Sequence, residues 1–241
     1  MSRPRLAAAA AATVIGVALL ISLGVWQLQR LAWKEGLIAA ADERAHAAPV
    51  AAPSPQEWPA LKPADYEYRR VELTGAYDYA DQKFMFGSLE SPRGRYGGVG
   101  YYVMTPLRLA SGEAVIVNRG FVPDELKSQV DQGPRGEVKV VGLMRASEAR
   151  HWFTPADDLA RGVVYLRDVE ALATQMRLGP HAPFVIDAEA GPEPLPEGGE
   201  TRLTFVNNHL GYAFTWFGLA AALAGVFGVY AYGRLRAMVS T

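Results

Sequence analysis

The 241-residue chain contains no cysteine. That excludes disulfides, Cys-x-x-Cys redox chemistry and thiolate metal sites, and with them the copper chaperones that work through cysteine pairs. An excess of either charge is also missing. Lys and Arg number 24 against 25 Asp and Glu, and the resulting net charge of -1 offers no basic field for nucleic acid. No Gly-x-Ser-x-Gly elbow, His-Glu-x-x-His pair or phosphate-loop signature occurs, which argues against an enzyme. The glycine-rich run Gly94 to Gly100 lacks the strand–helix context of a dinucleotide site and reads as a mobile loop. His151 and His181 lie near Asp157, Asp158 and Asp187 in type only. Their spacing does not favour a metal site over surface or core histidines.

Hydrophobic residues make up 50% of the chain and gather at its two ends. Residues 6–28 follow Arg3 and Arg5 and are interrupted only by Thr13, Ser22 and Gln27. The run is longer than the roughly 7–15 apolar residues of a signal peptide. It also ends in Trp26, Gln27 and Arg30 rather than in Ala-x-Ala, so an uncleaved anchor is expected. Residues 210–232 carry no charge and as a helix would span roughly 35 Å, enough for a hydrocarbon core of about 30 Å. Small residues recur every four positions at Ala8, Ala12 and Gly16, and again at Gly218 with Ala222 and Ala221 with Gly225. That spacing suits close helix packing, or it reflects Ala-rich composition. Arg234 and Arg236 beyond the second run, against Arg202 before it, place the C-terminus in the cytoplasm. Two spans then put both termini on the cytoplasmic side of a plasma (inner) membrane and the middle of the chain on its periplasmic side. Trp26, Trp216, Tyr212, Tyr230 and Tyr232 suit the interfacial belts against membrane lipid.

The middle reads mainly as β. Strands are expected at Tyr68–Tyr77, Lys83–Leu89, Tyr101–Leu109, Ala114–Asn118 and Val138–Met144, with shorter ones at Val163–Leu166, Phe184–Ile186 and Thr204–Val206. Val169–Arg177 has helical spacing, with Asp168 as N-cap. Residues 29–44 continue the first helix, and the proline-dense stretch 45–65 is a linker or an extended wrap that forms neither helix nor central strand. The fold class is thus an α+β membrane protein. Two transmembrane helices, 6–28 and 210–232, flank a mainly antiparallel β extracytoplasmic domain, 29–206, built as a sheet or a partly closed barrel. Arg119, in the turn after a strand, is either a buried ion-pair partner or a ligand clamp.

His209 stands where the second apolar run begins, and an ionisable residue at such a place is a candidate functional residue. It is either a ligand-facing histidine or an interfacial one held by lipid headgroups and by Asn207 or Asn208. Positions i, i+3 and i+7 put His209, Tyr212 and Trp216 on one helical face.

Three stretches carry a resemblance to a known family. LGVWQLQRLAWK at 23–34 resembles the membrane-exit motif of the surfeit locus protein 1 family, VIVNRGFVP at 115–123 its central hairpin motif, with Phe121 where Trp is usual, and NNHLGYAFTWFGLA at 207–220 its second-span signature. FTPADDLARGVVYLRDVEALA at 153–173 is similar more weakly, with Val164 in place of an aromatic. The resemblance covers nearly the whole chain. It implies a non-enzymatic assembly factor (a chaperone of the respiratory chain) for haem–copper cytochrome c oxidase, handling haem a during maturation of oxidase subunit I, with haem a synthase as a further partner. The histidine matching His209 would ligate the haem iron. The residues suit that role. His209 opens the helix with an imidazole able to ligate iron, Tyr212 and Trp216 offer a face for the macrocycle, and Trp26 either packs on the ring or anchors its helix. Arg30, and after it Lys34, would meet the propionates, or both are ordinary charges flanking the span. The cofactor would be held transiently and without covalent attachment, since no Cys-x-x-Cys-His is present.

Overall fold

The computed structural model describes residues 3–239 apart from Asp131, Gln132, Glu193, Arg202, Thr204 and Val206. Four helices and eight strands follow in the order α1 (Arg3–His46), β1 (Val50–Ala51), α2 (Pro63–Tyr66), β2 (Arg70–Tyr77), β3 (Lys83–Leu89), β4 (Gly98–Arg108), β5 (Ala114–Pro123), β6 (Glu137–Ala146), β7 (Val163–Val164), α3 (Val169–Gln175), β8 (His181–Ala188) and α4 (His209–Val239). Two compact units result, Met1–Ala40 with Thr204–Thr241 and Ala41–Leu203.

The first unit is a helix pair. α1 is a single 44-residue helix, about 66 Å long, with no break where the apolar run ends. Its Ala- and Leu-rich sequence favours helix throughout, Pro4 sits in the first turn where a missing N–H is harmless, and the helix stops three residues before Pro49. Both α1 and α4 are long and apolar enough to cross a membrane, with mean hydropathy of 2.4 and 1.6 in their most apolar windows. They run antiparallel. Gly16 faces Leu223, Gly24 faces Phe217 and Gln27 faces His209, so rising numbers on one helix meet falling numbers on the other. The seam is closest at Gly24, where a Cβ would stand 2.5 Å from the Phe217 ring. From α4 it is lined by Ala213 and Ala220, both buried. Of the small residues expected to face the partner helix, Gly16 does so, whereas Ala8, Ala12, Gly218, Ala221, Ala222 and Gly225 are exposed. On α4 the seam residues recur every three or four positions, at His209, Ala213, Phe217, Ala220 and Leu223.

The second unit is a barrel closed by five strands. Its ring runs β2–β6–β8–β5–β4 and returns to β2, through pairing of Ala76 and Tyr77 with Arg108 and Leu107. Closure depends on Gly75, because a Cβ there would lie 2.5 Å from the Arg108 carbonyl oxygen. All ring pairings are antiparallel except β5–β8, which is parallel. β1 and β7 add short parallel edges to β2 and β3. β5 is buried along its whole length, which explains its unbroken apolar run Ala114–Val117. Val115 and Val117 join Val71, Leu107, Phe184 and Ile186 in one core, while Ile116 and Val185 pack against Val169 and Leu172 of α3 and Met176 just beyond it.

Several local expectations change. The proline-rich stretch is a wrap, but it contains an edge strand, β1, and a one-turn helix, α2, that begins with Pro63 at its first position, where proline is well accommodated. It plugs the barrel with Trp58 and Tyr66, whose rings lie 6.2 Å and 5.8 Å from Phe184. The glycine-rich run is anchored. Gly98–Gly100 opens β4, and four successive amides donate to two carboxylates: Arg93 and Gly94 to Glu200 (2.9 and 2.6 Å), Arg95 and Tyr96 to Glu197 (2.8 and 2.9 Å). Of the strand expected at Thr204–Val206, Thr204 and Val206 lie outside the described residues and Phe205 belongs to no strand. Asp168 caps α3 by accepting from the Ala171 amide at 3.2 Å.

Candidate functional site

His209 is the first residue of α4, and its Nδ1 lies 2.7 Å from Oε1 of Gln27 on α1. A carboxamide oxygen accepts and does not donate, so Nδ1 carries the proton and the lone pair of Nε2 is left for another partner. Gln27 is only 9% exposed. The other polar side chains of the first apolar run bond their own helix, Thr13 to the Ala9 carbonyl at 2.9 Å and Ser22 to that of Ala18 at 2.8 Å. Gln27 reaches across. Nothing in its spacing singles it out, but as the one amide in that run it had to find a partner or leave a buried polar group unsatisfied.

Helical spacing places the remaining candidates. Tyr212 is three residues past His209 and Arg30 three past Gln27, each about 60° back from the contact line. In an antiparallel pair the two fall on the same flank of the seam. Trp216, seven past His209, lies almost directly beneath it and is half-buried, while Tyr212 is 56% exposed. Arg30 stacks on Trp33 with its guanidinium 4.1 Å from the ring centroid. Lys34 is seven past Gln27 and continues the same face. Helical phase thus sets Tyr212, Trp216 and Arg30 on one side of the His209–Gln27 contact. Trp26, four residues before Arg30 and so only about 40° from it round the helix, points to the same side and is 50% exposed.

A porphyrin fits this donor set in one way. The close approach at Gly24 and Phe217 leaves no space for a macrocycle between the helices. The flank provides an imidazole with a spare nitrogen, an aromatic surface and a guanidinium, so the ring would lie beside the seam and not within it.

The barrel holds polar groups of another kind. Asp187, 4% exposed, accepts from Asn118 (2.9 Å), Arg145 (2.7 Å) and Thr201 (2.9 Å), and Arg167 approaches it at 3.8 Å. Arg145 also bonds Glu67 at 3.0 Å, and Arg167 bonds Glu148 at 2.6 Å. Burial works against charge on Arg145, yet Asp187 and Glu67 outweigh it and hold the guanidinium above its ordinary value. Every member of this network is engaged, which makes it structural. Arg119 is buried, bonds Gln82 at 3.3 Å and lies over the rings of Tyr77 and Tyr79. His181 approaches Glu170 at 3.5 Å, whereas His151 stacks on Phe153 at 5.6 Å, so the two histidines do not converge. Among the described residues no group of three or more His, Asp or Glu could hold a metal ion.

Residues 14–221 match the model of the SURF1 family. Surfeit locus protein 1 of Homo sapiens is 37% identical over 220 residues, covering 83% of this chain and 70% of that protein. The Takifugu rubripes protein of the same name is 33% identical over 225 residues, 83% of this chain and 87% of its own. A SURF1-like protein of Drosophila melanogaster is 37% identical over 223 residues, 83% and 70% respectively. A family match through both helices and the barrel, joined to relatives aligned over most of their own length, makes the chain a member of the SURF1 family.

Proposed function

We propose that this chain is an assembly factor for haem–copper cytochrome c oxidase, that it holds haem a transiently at the outer face of the plasma membrane, and that it aids insertion into oxidase subunit I. Both termini lie in the cytoplasm and the barrel in the periplasm. His209 Nε2 takes the iron, Tyr212 and Trp216 offer an apolar face, and Arg30, with Lys34 behind it, meets the propionates. Haem is the cargo here, received from haem a synthase and passed on. The observation that carries the reading is the His209–Gln27 hydrogen bond across the seam at 2.7 Å, which leaves one imidazole nitrogen available at the end of an apolar helix pair.

The test is oxidase maturation in a host lacking the chain. Subunit I should accumulate short of haem a, and wild-type protein but not His209→Ala should restore its haem content. Full haem occupancy without the chain would overturn the proposal. A haem-free scaffold for an assembly intermediate is the second reading, favoured by the exposed ridge of Trp152 (96%) and Phe153 (67%), a contact surface with no covering of its own. Full rescue by His209→Ala would select it.

A further inference from the structure

We infer that Gln27 is a positioning residue for His209, and that its uncharged amide is what makes the histidine a ligand able to release its porphyrin. The inference rests on the haem reading above and deepens it. The Gln27 carbonyl oxygen meets Nδ1 at 2.7 Å from a side chain that is 9% exposed, on a helix face that packs against α4. That contact does two things. It fixes the tautomer, so that Nε2 and not Nδ1 presents the lone pair, and it fixes the plane of the ring relative to the flank where Tyr212 and Arg30 stand. A carboxylate in the same position would draw the Nδ1 proton and give the ring imidazolate character, strengthening its donation to iron. An amide carbonyl is a weaker acceptor. It orients the ring without that extra donation, as a site that must give its cargo away requires.

The experiment uses the full chain purified from cells that make haem a, as wild type, Gln27→Glu, Gln27→Leu and His209→Ala. The readouts are the absorption spectrum, the iron–imidazole stretching frequency of the ferrous form, the midpoint potential, and the rate of haem loss to apomyoglobin. Thermal unfolding reports whether the helix pair survives. Gln27→Glu should keep its haem, raise the stretching frequency, lower the potential and slow haem loss, by about tenfold or more if it acts as outer-shell partners of metal ligands do. Gln27→Leu should lower the stretching frequency and speed haem loss with the helix pair still folded. If His209→Ala loses haem while both Gln27 variants match wild type in frequency, potential and loss rate, the positioning role is wrong and the haem reading stands. If His209→Ala retains full haem, the underlying reading itself fails.

Discussion

Replacing Gly24 strikes the helix pair at its tightest point. A Cβ there would lie 2.5 Å from the Phe217 ring, so Gly24→Leu should separate the helices and lower the midpoint of thermal unfolding. Phe217→Ala in the same chain should recover part of the loss by making room for the new side chain. An unchanged midpoint for Gly24→Leu would mean that the seam lies elsewhere. In the barrel, Asp187→Ala would leave Arg145 and Arg167 buried without their shared carboxylate. Removing one partner of such a network costs about 3–5 kcal/mol, which denaturant unfolding of the full chain would read as a lower midpoint. Residues of this kind were unequally legible. His209 announced itself by type and place, as a titratable group at the end of an uncharged run. Gln27 did not, because one amide among alanines and leucines looks like ordinary tolerance until its partner is known, and that partner is 182 positions away in sequence. Trp26 was legible by type, and helical phase sets it about 40° from Arg30 on the same side of α1.

The elements were most readable where one periodicity ruled. The strands at 70–77 and 137–146 alternate along much of their length, and the helices α1 and α4 declare themselves by length. Asp168→Ala should cost α3 about 1 kcal/mol, measurable as a lower unfolding midpoint, because its carboxylate accepts the Ala171 amide and nothing replaces it. Features set by partners distant in sequence were harder to read. The run 94–100 reads as a loose glycine loop, since the two glutamates that hold the amides of 93–96 lie about a hundred residues on. The stretch 45–65 looks unstructured because proline density masks an edge strand and a proline-started turn, both stabilised by packing on the barrel. The helix seam is open to a direct test, since the chain has no native cysteine. Gly16→Cys with Leu223→Cys should cross-link under mild oxidation, whereas Val14→Cys with Val226→Cys, 67% and 71% exposed, should not. The reverse outcome would refute the antiparallel register.

For the molecule as a whole, the division into an apolar helix pair and a β barrel follows from composition, since hydrophobic residues crowd the ends and alternation governs the middle. Closure of the barrel was not legible. It depends on the return of β4 to β2 at Gly75, and no local pattern encodes a pairing of Tyr77 with Leu107. The parallel β5–β8 contact was hidden for the same reason, because the two strands are joined only after β6, β7 and α3 have intervened. The chemistry is gathered on the helix pair: an imidazole with one nitrogen engaged, an aromatic face and a guanidinium share one flank, while the ionic network of the barrel is internally satisfied. The account therefore stands on His209 as the iron ligand, and the optical spectrum of detergent-purified protein tests it most directly. Protein from cells that make haem a should carry the absorption bands of a histidine-ligated haem, and His209→Ala prepared identically should carry none. Bands of undiminished intensity in His209→Ala would contradict the account.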